Sequence, residues 1–330
     1  MNREREDYMQ LSVLKNSKIN TNEKIKKVKK KGLWKRIIKC WQLYVFLIPT
    51  LAYFIVFCYV PMYGVQLAFK DYNAMLGITG SPWVGFEHFR RFFESYQFKQ
   101  LLWNTLSLSI YQLAVSFPVP IILALALNQV KNSKFKKLVQ TVTYAPHFIS
   151  IVVLVGMLNV FFSTSGGLMN EVVKFFGGEP KLFLGKEQYF QHMYVWSGVW
   201  QSMGWNAIIY LAALSGVSPE LHEAAVVDGA SKIKRIWHID IPVIFPTIII
   251  LLILNCGQIM SIGFEKAFLM QNSLNIGTSE IIPTYVYKMG LLNAQYSFST
   301  AVGLFNSVIN CTLLFVVNKI AKRAGQSGII

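Results

Sequence analysis

Apolar residues along this chain are gathered into long blocks and show no short amphipathic period. Six blocks are about as long as the roughly 20 residues that a helix needs to cross a ~30 Å hydrocarbon core. They are Gln42–Tyr63, Leu102–Asn128, Leu138–Phe162, Tyr189–Leu214, Phe245–Phe264 and Phe298–Ile320. Soluble core helices rarely run this long without charge, so the pattern predicts an all-α polytopic membrane protein with six transmembrane helices. Between the blocks, the first loop (64–101) carries Phe86, Phe89, Phe92 and Phe93 at helical spacing and is expected to pack on neighbouring spans or on the bilayer surface. The third loop (163–188), broken by Gly166-Gly167 and Gly177-Gly178, is expected to be an irregular external cap. TYVYKMG, before the last block, reads as a short helix.

Composition agrees: 53% of the 330 residues are apolar and 15% are charged. The net charge of +16 would suggest nucleic acid until it is mapped. Thirteen of the 32 Lys and Arg lie in residues 1–40, and the second loop, the fourth loop and the stretch from Lys319 at the end of the last block carry ten more. That bias puts 23 of the 32 on one face of a six-span chain. By the positive-inside rule both termini are then cytoplasmic, and the basic charge is topogenic; no nucleic-acid partner is expected. The division that follows is a basic cytoplasmic tail (1–40), a six-span membrane domain (41–320) and a short cytoplasmic tail (321–330). The first 40 residues are too polar for a cleavable signal, and the first block is expected to remain as an anchor. Cys40, Cys58, Cys256 and Cys311 lack metal-ligand spacing and read as small apolar packers.

Catalytic constellations are missing. HExxH, GxSxG and paired carboxylates do not occur, and Gly185-Lys186 is followed by Glu187, so there is no phosphate-binding loop. His147, His192, His222 and His238 are scattered, and no metal site is expected from them. The chain therefore does not hydrolyse ATP itself, which disfavours a membrane-embedded enzyme.

Two blocks carry polar stripes. Asn255, Gln258, Ser261 and Glu265 fall within roughly a 120° arc at 100° per residue, and Trp196, Trp200, Asn206 and Tyr210 share a similar arc. Polar groups in hydrocarbon usually face a bundle interior or a watery path, or glue helices together. These eight residues are the candidate substrate path, with the aromatic ones suited to stacking on sugar rings.

The polar stretch from Glu223 to Pro246, EAAVVDGASKIKRIWHIDIPVIFP, is more elaborate than a chain reversal requires. Ser218 and Pro219 suit a helix start, Glu220 and Glu223 complement its dipole, and Gly229 after Asp228 can end it in a left-handed turn. A second short helix is expected to bury Ile233, Ile236 and Trp237, with Pro242 and Pro246 turning the chain back into the membrane. Two short helices on the cytoplasmic face form a knob suited to a groove on a soluble partner.

Glu223-Ala-Ala-x-x-Asp-Gly-Ala230, followed by Ile239-x-x-Pro242 and Pro246, resembles the cytoplasmic EAA loop of type I ABC importer permeases. Family members often carry Phe where Ile236 stands. YVPMYGVQLAFKDYN, NTLSLS, YAPHFISIVVLVGMLN, GWNAIIYLAALSGVSPELHEAA, PTYVYKMGL and YSFSTAVGLFNSV extend the resemblance over nearly all of the chain beyond the tail. They are similar to the carbohydrate subfamily, especially permeases for complex oligosaccharides in Gram-positive bacteria.

The resemblance implies the type I permease fold in the bacterial cell membrane and import of an oligosaccharide. It implies a coupling loop (about 217–246) in which Glu223, Ala224, Ala225, Asp228, Gly229, Ala230, Ile236 and Pro242 meet a cytoplasmic ATPase dimer. The other implied partners are a second, related permease subunit and an extracellular solute-binding lipoprotein. This chain would hold no cofactor, ATP and Mg being bound by the ATPase. A secondary transporter or channel that needs no ATPase is the rival reading, and it leaves the loop unexplained.

Overall fold

The computed structural model describes residues 40–323; the expectations for the two tails lie outside that range. Every regular element among the described residues is helical, and one isolated bridge pairs Lys70 with Trp83. The chain divides into two compact units, one ending at Gly64 and the other beginning at Val65. The first holds helix α1 (Trp41–Tyr53), followed by a π-turn over Phe54–Tyr59 and a last turn at Val60–Met62.

In the second unit, after short helical turns ending at Phe69 and at Gly80, comes a short amphipathic helix α2 (Glu87–Glu94). Phe92 is its buried anchor, in ring contact with Phe98, Tyr285, Phe298 and Phe305. Of the two roles expected for that loop, packing on neighbouring helices is the one realised by Phe92. Next come α3 (Phe98–Ser116) and α4 (Pro118–Asn128), separated at Phe117 because Pro118 has no N–H with which to continue the ladder. Helices α5 (Ser133–Tyr144) and α6 (Ile151–Phe161) follow, then α7 (Leu168–Phe175) and the 28-residue α8 (Glu187–Leu214). After the loop come α9 (Pro219–Val227), α10 (Lys232–Arg235), α11 (Ile241–Cys256), α12 (Phe264–Met270), α13 (Ile282–Tyr287) and α14 (Tyr296–Arg323).

Among the described residues, four helical stretches are long and apolar enough to cross a membrane: Trp41–Phe69, Phe98–Asn128, Lys232–Cys256 and Tyr296–Arg323. The block expected as a straight third span is instead bent by 99° between Ser133–Phe148 and Ile151–Phe161. Pro146 interrupts the first part, and the Ser150 side chain accepts from Val153 N at 3.3 Å to start the second. The fourth block is helical throughout as α8, but its Gln, His, Asn and Ser side chains keep it out of the apolar set. The fifth block ends early. Its helix stops at Cys256, and Gly257 to Gly263 form an irregular segment before α12.

Helix α8 is the structural centre, packing on α3, α4, α5 and α11. Small residues allow the close approaches. Ala207 and Ala124 are both fully buried between α8 and α4, and a Cβ at Gly204 would collide with the Thr143 carbonyl of α5. At one end of α8, Phe190, Tyr194 and Val195 pack with Leu108, Val155 and Ile281; at the other, Tyr210 and Leu214 pack with Leu125 and Ile244.

Candidate functional site

The loop between α8 and α11 is built as two capped helical pieces. Ser218 is extended and Pro219 opens α9, with Glu220 in its first turn. The Ser218 hydroxyl makes no capping bond, so the start rests on Pro219 and the acidic first turn. At the other end Gly229 N donates to Val226 O (3.0 Å) and Ala230 N to Ala225 O (2.8 Å), with Gly229 at φ +74°. That is the Schellman arrangement, and its left-handed position favours glycine. Ser231 then caps α10 through Lys234 N at 3.4 Å.

From Lys232 to Cys256 the chain is helical without a break. Pro242 and Pro246 therefore lie within a span and do not turn the chain back. A π-turn over Ile236–Asp240 precedes Pro242, so an irregular stretch of the ladder adjoins the residue that has no N–H. Of the three apolar residues expected to be buried here, only Ile236 reaches the core, beside Tyr210 and Ile244. Ile233 and Trp237, four residues apart on another face, are 69% and 63% exposed. Leu221, Val226 and Val227 are exposed as well. Among the motif residues Glu223, Ala224, Asp228 and Gly229 are exposed, and Ala225 and Ala230 half-buried. The loop thus presents two carboxylates among apolar side chains, a surface of the kind that marks interaction sites.

A buried carboxylate ties this loop to the bundle. Asp240, fully buried in the π-turn, accepts from Gln129 Nε2 at 2.9 Å and Asn128 Nδ2 at 3.4 Å, at the end of α4. His222 Nε2 of α9 lies 3.2 Å from Asp240 Oδ1. Three elements therefore meet on one side chain. Sequence reading missed it, although an Asp just before a Pro-bearing apolar run was a visible signal.

The bundle encloses a cavity of about 520 Å³, within the size range of small-molecule sites. Helix α8 provides one wall through Tyr194, Gly198, Gln201, Ser202, Trp205, Asn206 and Tyr210. Facing it are Gln112 and Ser116 of α3, Asn255 of α11, and Gly263 and Lys266. A smaller recess of about 190 Å³ shares Gln112, Ser116, Asn255 and Gly263 with it and adds Ser109, Gln258 and Ser261. Gln112 Oε1 and Ser109 Oγ are buried there without a hydrogen-bond partner.

Five of the eight stripe residues meet in these two spaces: Asn206, Tyr210 and Asn255 in the larger, Asn255, Gln258 and Ser261 in the smaller. Trp196 and Trp200 line neither. Trp196 donates to the Tyr111 hydroxyl at 3.1 Å, which in turn meets His192 Nδ1 at 2.9 Å. Glu265 also lines neither, because the helix that was to carry the stripe stops at Cys256 and α12 begins on a new axis after Gly263. Its neighbour Lys266 points to the cavity instead. Ser261 stays beside the recess because Asn310 of α14 holds it, donating to its Oγ at 2.7 Å while accepting from Met260 N.

Residues 116–326 match the family described as "Binding-protein-dependent transport system inner membrane component". The chain belongs to this family. It is 46% identical over 304 residues to the polygalacturonan/rhamnogalacturonan transport system permease protein YteP of Bacillus subtilis (strain 168), covering 92% of this chain and 95% of that one. It is also 46% identical to protein LplB of the same organism, over 87% of this chain and 90% of the other. Among solved structures it is similar to a chain of a bacterial alginate ABC transporter in complex with an alginate pentasaccharide-bound periplasmic protein. That likeness has a TM-score of 0.83 at 39% identity and covers 90% of this chain and 99% of the other. This family member is accordingly a multi-pass membrane permease subunit of an ABC importer, with the all-helical permease fold, and it is not an enzyme. Its family implies a partner permease, an ATPase and a solute-binding protein.

Proposed function

We propose that this permease carries oligosaccharides inward across the bacterial cell membrane, with both termini and the 217–246 loop in the cytoplasm. A soluble ATPase dimer grips the loop, with Glu223 and Asp228 toward basic or backbone groups and Ala224, Ala225, Gly229 and Ala230 allowing close approach. Ile236, packed beside Tyr210 and Ile244, anchors the loop to the bundle, and the exposed Pro242 completes the surface that the ATPase meets. ATP and Mg belong to that partner. A second, related permease chain closes the other side of the path, and an extracellular lipoprotein delivers the sugar. The relatives named for galacturonan and alginate transport support a sugar-chain substrate.

One observation carries this reading: the two helices joined by the loop, α8 and α11, are both walls of the cavity through Asn206, Tyr210 and Asn255. Force applied to the loop therefore acts on both walls, and the path can open to alternate sides of the membrane. Gln258 and Ser261 extend the polar path into the neighbouring recess. Trp196, Trp200 and Glu265 take no part in the cavity of this conformation and serve the path only if it widens.

The test is uptake of labelled oligosaccharide into proteoliposomes holding the complete transporter. Uptake is expected with enclosed ATP and not with an ion gradient alone, and Glu223→Lys is expected to abolish it while the permease still inserts. Gradient-driven uptake without ATP would return the secondary-transporter reading.

A further inference from the structure

Lys266 is the one charged residue in the wall of the larger cavity. It is 6% exposed, and its Nζ donates to the Tyr194 carbonyl at 2.7 Å and lies 4.7 Å from the centre of the Tyr194 ring. No carboxylate of the described residues pairs with it, and the cavity wall contains neither Asp nor Glu. The fold makes room for the amine: a Cβ at Gly198 would sit 3.1 Å from Nζ.

An ammonium withdrawn from water without a counter-ion is costly, by several kcal/mol even after relaxation. Ionisable residues inside a membrane bundle usually mark the path of a substrate or ion. One backbone carbonyl and one ring face are weak compensation for a group with three donors. The rest of the wall is neutral: amides from Gln112, Gln201, Asn206 and Asn255, serine and tyrosine hydroxyls, the partly exposed Trp205 ring, and apolar side chains such as Phe117, Ile151 and Leu251. Gln112 Oε1 is buried and lacks a partner. Such a lining suits a hydroxylated ring with one anionic group. A single lysine, without a second cation, fits a monoanion better than a phosphate dianion.

Resting on the proposed oligosaccharide function, we infer that Lys266 is a specificity residue that receives the carboxylate of a uronic acid unit as it passes through the cavity. The permease then selects acidic sugar chains itself, in addition to whatever selection the binding protein makes.

The experiment uses the reconstituted transporter with its binding protein and two probes: a galacturonic acid trisaccharide and its neutral methyl ester. Native, Lys266→Met and Lys266→Arg permeases are compared for ATP-driven uptake. The binding protein is the same in every preparation, so its own preference cancels in the ratio of variant to native. In parallel, quenching of tryptophan fluorescence by each trisaccharide is followed in the detergent-solubilised transporter without the binding protein.

Lys266→Met is expected to lower uptake and binding of the acid by at least about tenfold while changing the ester by less than about twofold, and Lys266→Arg is expected to recover part of the loss. Equal loss for both probes, with a lowered melting temperature, would make Lys266 a packing residue and overturn the proposal. So would an unchanged acid-to-ester ratio in Lys266→Met. A native transporter that moves a neutral oligosaccharide with ATP but neither trisaccharide would overturn the inference and leave the oligosaccharide reading standing; one that moves only a non-sugar solute would overturn both.

Discussion

Replacing Asp240 by alanine should loosen the joint between the loop and the bundle. The side chain has no exposure and serves three donors. A hydrogen bond to a charged group contributes about 1.5–3 kcal/mol, and an orphaned buried donor costs about 1–3 kcal/mol. The Gln129 bond at 2.9 Å is well formed and counts in full; the Asn128 contact at 3.4 Å is beyond good geometry and adds little. His222 is partly exposed and can turn to water, so its contribution is discounted. The loss then comes to about 3 kcal/mol, roughly a hundredfold in the balance between attached and detached loop.

Asp240→Asn keeps one carbonyl acceptor and should lose about half as much. Two readouts are needed: the melting temperature of the solubilised transporter, and ATP hydrolysed per sugar imported in proteoliposomes. Both should worsen in the order native, Asn, Ala. An alanine variant with native melting and a native ATP-to-sugar ratio would refute the idea that Asp240 joins α9 to α4 and α11.

Gly229→Asp should weaken ATPase attachment, because a side chain at φ +74° strains the turn by about 1 kcal/mol and adds charge to the gripped surface; co-purification of the ATPase with the permease reads this out. Alanine at Asn255 and at Gln258 should reduce uptake or narrow its range, whereas alanine at Trp196 or Trp200 should change transport kinetics less, as neither lines the cavity; uptake kinetics over a substrate series distinguish the two groups. Gly204→Val should destabilise the α8–α5 contact by 3 kcal/mol or more, on the order of severe overpacking, because even one carbon meets the Thr143 carbonyl; lowered yield and melting temperature of the detergent-purified permease are the expected signs.

How far the chain could be read varied with the physics involved. Long apolar blocks report helices well, because burial in lipid needs length and little else. The loop read well too: Pro219, Asp228 and Gly229 act through their own backbone, and the structure has them opening and closing α9. Stripe arguments held in part on both helices: on the unbroken α8, Asn206 and Tyr210 line the cavity while Trp196 and Trp200 do not. Asn255 to Glu265 formed one arc only while the period ran on unbroken, and after the stop at Cys256 Gln258 and Ser261 stay at the recess while Glu265 leaves it.

The bend at 99° was legible in principle from Pro146 and Ser150, but a hydropathy window averages over both. Pro242 and Pro246 misled in the opposite direction: a π-turn adjoins Pro242, and the helix runs on through Pro246. Lys266 and Asp240 went unnoticed for a different reason. Their roles depend on partners 72 and 111 residues away, and no local pattern records such distances.

Cross-linking at Val227 tests the central claim most directly, since this residue is 87% exposed at the tip of α9. A Val227→Cys permease, with Cys40, Cys58, Cys256 and Cys311 replaced by serine, would be treated in native membranes with a short reagent whose maleimide alkylates the introduced thiol and whose diazirine, on illumination, captures the chain beside it. The account predicts one adduct, with the ATPase subunit, and protection from a membrane-impermeant maleimide in intact cells. Labelling from outside the cell, or an adduct with the binding protein in place of the ATPase, would contradict it.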